Sequence, residues 1–167
     1  MPGFDVEGPV QAEVFVLFLD GGRPSLTGPC GAAPWYLEVD ADEDPMAVVV
    51  RAVRRVLGTP LVVHSTSWRR DRDAVVLSFV AVIDAALVGD LASAPVDRTE
   101  LARGRAAASP AAIATGQVIE HGLRHLAWLV RDDPAVAERL AVQWRAALEG
   151  YVPEPFRHLR AARYLGA

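Results

Sequence analysis

The sequence of 167 residues contains no lysine and no asparagine. Without lysine there is no Walker A phosphate loop and no Schiff-base chemistry. Its single cysteine, Cys30, excludes an intrachain disulfide framework and a cysteine-rich zinc site, and fits a reducing, cytoplasmic setting. Long apolar runs are missing too: stretches such as Val14 to Leu19 are far too short to span a bilayer. No basic segment precedes them, so neither a membrane partner nor a secretory leader is expected. The chain also lacks a Gly-x-Ser-x-Gly elbow, a dinucleotide glycine loop, a Cys–His nucleophile signature and any internal repeat.

What is present describes a folded chain. Hydrophobic residues make up 51% and charged residues 23%, with a net charge of −4. That balance excludes a disordered polymer, and the length suits one domain with one sizeable core. The acidic balance argues against a basic footprint, so no nucleic-acid partner is expected. All 17 basic residues are arginine, so an arginine by itself carries little information here.

The order of patterns is α/β. Val10 to Leu19 reads as a strand, followed by the turn Asp20-Gly21-Gly22. Trp35 to Leu37 reads as a short strand, and Glu38 to Asp44 as an acidic loop. Asp44-Pro45 opens a helix as N-cap and first residue, and Gly58 closes it. Leu61 to Arg69 and Ala74 to Asp84 are strands joined by the polar hairpin Arg70 to Asp73. Asp90 to Pro110 reads as a surface connection with room for a short helix. The C-terminal third is helical: about 111–130, then 134–149 from another Asp-Pro start, then a short helix after Pro153 and Pro155.

On the helix 45–57, Met46, Val49, Val50, Val53 and Leu57 form one apolar face. Val48, Ala52, Arg55 and Val56 form a second stripe beside it. A strand with Trp35, an acidic loop, a proline-opened helix ending in glycine and a long hairpin together resemble a Nudix domain over about residues 10–85. With Gly58 on the last glycine of that family's motif, Glu43 falls on its first glutamate, Arg51 on its arginine and Val53 on a hydrophobic position. Other positions depart. Leu37 stands where the opening glycine belongs, Thr59 where a hydrophobic residue belongs, and Ala52, Arg55 and Val56 where three helix glutamates belong.

The resemblance implies a Nudix-like α/β/α sandwich with a mixed sheet. It implies a single domain over 1–167, with a core at about 10–110 and a helical C-terminal extension at about 111–167. In the family those glutamates hold Mg²⁺ or Mn²⁺ against a substrate diphosphate. Here the exchange alters the site by about four charge units and sets Arg55 against an incoming cation. The expected protein is therefore a non-hydrolytic module without cofactor or resident metal. It binds a phosphorylated or acidic small molecule, or serves in interaction. Arg55 would grip the anion bidentately without metal. Arg51 resembles the family's structural arginine, with Glu43 or Glu38 as partner. The candidate site is Arg55, Arg51, Glu43 and Trp35. Two alternatives stay open. One is a Mg²⁺- or Mn²⁺-dependent hydrolase of a nucleoside-diphosphate-linked substrate using Glu38, Asp40, Asp42 or Glu43. The other is a scaffold whose C-terminal helices form a homodimer or other assembly.

Other patterns carry less. Asp40, Asp42 and Asp44 alternate like a calcium loop, but Pro45 and Arg51 occupy positions that need glycine and glutamate. His121 and His125 have the i, i+4 spacing of a zinc pair, but Gly122 replaces the general-base glutamate and no cysteine is near. They read as partly buried or interface histidines, and no metal is expected. Trp68-Arg69-Arg70-Asp71-Arg72 reads as a solvated turn. Trp128 and Trp144 read as core or interface residues of two amphipathic helices.

Overall fold

A computed structural model describes residues 8–101 and 113–152. The expected short helix after Pro153 and Pro155, and the start of the helix placed near 111, lie outside the described residues. By its contacts the chain divides into two compact units. One comprises the chain up to Phe18 together with Ser25–Ala94; the other comprises Leu19–Pro24 together with the chain from Pro95 onward.

The strands are β1 (Val10–Asp20), β2 (Arg23–Thr27), β3 (Trp35–Val39), β4 (Val62–Asp71), β5 (Ala74–Val82) and β6 (Ser93–Pro95), with the helix α1 (Pro45–Val56) between β3 and β4. They make one mixed sheet in the order β4-β5-β1-β2-β6, with β3 pairing to β1 off that path. β1 runs parallel to β5, Val10 to Leu17 opposite Val75 to Val82, and antiparallel to β3. A strand with neighbours on each side and both faces covered reads as a continuous apolar run. Ala12 to Phe18 is buried without interruption, and that is why β1 is the clearest strand in the sequence.

Period-2 alternation then sorts the side chains. Ala12, Val14, Val16 and Phe18 join Phe79, Ala81 and Ile83 of β5 in one cluster with Val48, Val49, Val53 and Leu57 of α1. Glu13, Phe15 and Leu17 point to the other face. The expected helix face is thus rotated. Val48 and Ala52 are buried with Val49 and Val53, whereas Met46 and Val50 are only partly covered. α1 seats the seam between its two apolar stripes on the sheet, because small Ala52 permits close approach there. The ends behave as their residues require. Asp44 Oδ1 accepts the Met46 amide at 3.2 Å, and Gly58 takes φ +105° just past the cap at Leu57.

β2 has no counterpart among the elements read from the sequence. Pro24 inside it argues against a strand, yet the segment pairs with β1 and β6. The proline loses only a donor; its carbonyl accepts the Val96 amide at 2.9 Å, and Thr27 Oγ1 donates to the Ala92 carbonyl at 2.9 Å.

In the second unit, α2 (Thr115–Asp132) packs against α3 (Pro134–Arg139) and α4 (Val142–Leu148). Gln117 Oε1 accepts the Ala114 amide at 2.9 Å, the back half of a capping box. The single helix expected over 134–149 is two. Leu140 leaves helical geometry at φ −88°, ψ 119° and is buried with Trp144 and Leu148. Burial of the leucine overrides local propensity, and Arg145 Nη2 satisfies the Ala137 carbonyl at 3.1 Å. No helix among the described residues is long and apolar enough to cross a membrane.

Candidate functional site

The sequence-derived site lies at α1 and the loop before it. Glu43 sits one residue before the N-cap, and Arg51 lies on the second turn of the helix. Arg51 Nη2 donates to Glu43 Oε1 at 2.6 Å, which settles its partner as Glu43 rather than Glu38. Arg51 is 62% exposed and Glu43 34%, so the pair is worth at most about 1 kcal/mol and serves to tether the loop.

Arg55 lies one turn beyond Arg51 on the same side of α1, and Arg54 sits next to it; both are exposed in the last turn. Cations there complement the negative end of the helix dipole. Of the three positions matched to family glutamates, Ala52 faces the sheet and is buried. Arg55 is in solvent, and Val56 is 47% exposed. Trp35 is partly buried and packs on the apolar cluster beneath α1. The structure thus brings Arg51, Glu43 and Arg55 to one helix flank and uses Trp35 to floor the core. Among the described residues no group of three or more His, Cys, Asp or Glu is gathered where it could hold a metal ion.

Two polar networks escape sequence reasoning. The first lies on the sheet face opposite α1. Glu13, 2% exposed, receives both guanidinium nitrogens of Arg69, at 2.6 Å (Nη1 to Oε2) and 2.9 Å (Nη2 to Oε1). Ser78 Oγ donates to it at 3.0 Å and Tyr36 Oη at 2.8 Å. Burial opposes ionisation of Glu13, but these donors and the Arg69 charge outweigh it and hold the carboxyl below its usual value. Burial and the Glu13 bond push the Tyr36 phenol up. The signal in sequence is a lone acid at an inward position of an apolar run.

The second network is in the helical unit. Glu120 has no exposed surface and is held by Arg98 (Nε to Oε2 and Nη2 to Oε1, both 3.1 Å) and by Arg124 (Nε to Oε1, 3.0 Å). Here too burial resists the charge, and the two arginines prevail, keeping Glu120 below the ordinary carboxylate range. Arg98 also donates to the Gly150 carbonyl at 3.1 Å and lies 4.0 Å from the Tyr151 ring centroid. It therefore ties the segment after β6 to α2 and to the end of α4. Both networks saturate their acids, which leaves them structural.

The segment Trp68 to Arg72 is not the solvated turn its residues imply: Trp68 to Asp71 continue strand β4 against β5, Arg69 reaches Glu13, and the turn itself is only Arg72-Asp73. Arg72 takes φ +53° at the tip, and Trp68 is 70% exposed on the edge strand β4.

No family model matches the sequence, and no curated protein matches it. Among solved structures, the chain is similar to NrtR of Shewanella oneidensis complexed with a 27mer DNA, with a TM-score of 0.51 at 12% identity, covering 93% of this chain and 82% of that one. It is similar, too, to a crystal structure of Shewanella oneidensis NrtR, at TM-score 0.50 and 13% identity, covering 93% of this chain and 85% of that one. The first of these corrects one expectation. An acidic balance was read as excluding nucleic acid, yet a chain of this fold is held with DNA. The physical reason is that net charge is a sum over the whole chain, whereas a nucleic-acid interface needs only a local basic surface. At such low identity the likeness speaks of architecture alone: the chain has a Nudix-like mixed α/β fold, a six-stranded mixed sheet with helices.

Proposed function

We propose that this chain is a Nudix-like binding module rather than a metal-dependent hydrolase, and that it takes a phosphorylated or acidic small molecule at the C-terminal flank of α1. The observation that carries this reading is the arrangement on that helix. Arg55 and Arg54 are exposed, Ala52 is turned inward, Val56 is apolar, and Glu43, the nearest matched carboxylate, is engaged by Arg51. A hard cation needs several oxygen ligands, and none of these three helix positions supplies one. A guanidinium needs no metal to grip a phosphate, because its fork matches two oxygens at once. In this reading Arg55 contacts the anion, Arg51 and Glu43 position the loop, and Trp35 supports the helix from below.

A thermal-shift panel of nucleotides, nucleotide sugars and simple phosphates, each with and without Mg²⁺, tests it. A ligand at about 100 times its Kd adds about 2.7 kcal/mol of stability. Stabilisation without Mg²⁺ that disappears in Arg55→Ala supports the reading. Stabilisation that requires Mg²⁺ returns the chain to the hydrolase class, with Glu38, Asp40 or Asp42 as ligands to examine.

A second reading, nucleic-acid binding, is favoured by the DNA complex of the structurally similar NrtR. In this chain the exposed Trp68, Arg70 and Arg72 of the β4–β5 hairpin, or Arg54 and Arg55 of α1, would supply the contacts. A gel shift with a 27-base-pair duplex, repeated at rising salt, separates this reading from the first. A salt-dependent complex weakened by Arg70→Ala or Arg54→Ala supports it.

A further inference from the structure

The helical unit carries an arrangement that the proposed function does not use. His121 and His125 stand one turn apart on α2, with ring centroids 4.6 Å apart and planes inclined at 58°. Trp128, a turn further on, meets His125 edge-on at 6.5 Å and 90°. Spacing alone puts two histidines on one helical side; the structure adds that the two rings lie close together, tilted to one another. Two imidazoles that ligate one zinc ion at bond lengths of about 2.0–2.1 Å and a tetrahedral angle hold their centroids about 5 Å apart. The observed centroid separation of 4.6 Å is close to that.

The surroundings are compatible with a cation. Both residues are partly exposed, but Nδ1 of His125 is buried, so the atom of His125 offered to an ion is Nε2. Arg124 lies between the histidines in sequence, and its guanidinium is turned to Glu120, which it shares with Arg98. Glu120 itself is fully engaged by Arg98 and Arg124 and is not available as a ligand. The donor set is therefore two neutral imidazoles, which suits the borderline metals zinc, copper and nickel and does not suit magnesium or calcium.

We propose that His121 and His125 form a two-imidazole clamp for a divalent transition metal, with water completing the coordination and Trp128 beside the ion. The clamp stands whether or not α1 binds an anion, since it shares no residue with that site.

The test uses the full chain without an affinity tag. Zn²⁺ is titrated by calorimetry, and Cu²⁺, a short-range quencher of indole emission, is followed by tryptophan fluorescence. One saturable site is expected, weakened about tenfold or more in His121→Gln and in His125→Gln. In Trp128→Phe most of the copper quenching is lost while calorimetric binding persists. His121→Gln is decisive if the more enclosed His125 variant folds poorly. Absence of saturable binding in the wild-type chain, or binding unchanged by His121→Gln, overturns the clamp.

Discussion

At the scale of single residues, Arg69 holds a buried charge in place. Its partner Glu13 is buried and kept ionised by Arg69, Tyr36 and Ser78. Because the folded-state pKa of Glu13 lies below its ordinary value of 4.5, the pair contributes fully above that pH and its contribution drains away as pH falls below it. Glu120 acts in the same direction. His64 adds to the trend, since burial lowers its pKa from 6.5 and acid must charge it. Wild-type stability should therefore decline on acidification. In Arg69→Met the buried carboxylate loses its cation, at a cost of about 3–5 kcal/mol near neutral pH. Part of that cost should be recovered as the pH is lowered towards 5, because Glu13 can then protonate. Chemical denaturation of both proteins across pH 4–8 checks this; parallel profiles would contradict it. Gly58 makes a simpler case. At φ +105° a side chain is strained, and an added Cβ would lie 3.1 Å from Leu87 Cδ1. Gly58→Ala should lower stability by about 1–2 kcal/mol, read as a fall in Tm.

At the scale of elements, what was legible depended on whether local chemistry and tertiary context agreed. α1 was readable because Asp44, Pro45 and Gly58 each do locally what their chemistry dictates. Asp44→Ala should cost about 1 kcal/mol through loss of the bond to the Met46 amide, measurable by denaturant titration. The face that α1 buries was only half readable, since two adjacent apolar stripes compete and the small side chain of Ala52 decides the angle. β2 is masked by Pro24, which has no amide to donate but still accepts the Val96 amide through its carbonyl. The break at Leu140 has no glycine or proline to announce it, because its cause is burial of a leucine. The same division holds for the site. Arg51 meets Glu43, one of the two partners that the family resemblance implied. The Glu13 and Glu120 networks join residues far apart in the chain, and no pattern along the sequence brings Arg98 to Glu120.

At the scale of the molecule, a Nudix-like mixed sheet supports an α1 whose last turn exposes Arg54 and Arg55. The sheet cluster beneath it is built to hold that helix in place. Phe79, 2% exposed and central to the cluster, should cost about 3–5 kcal/mol when truncated to alanine and should loosen α1 along with the sheet. Hydrogen exchange of the α1 amides reports the second effect. The central claim is that this helix flank binds an anion without a metal. A calorimetric titration of inorganic pyrophosphate into wild-type and Arg55→Ala protein, in EDTA and then in excess Mg²⁺, tests it most directly. Saturable binding in EDTA that Arg55→Ala weakens about tenfold or more is the predicted result. Binding that appears only with Mg²⁺, or that Arg55→Ala leaves unchanged, would contradict it.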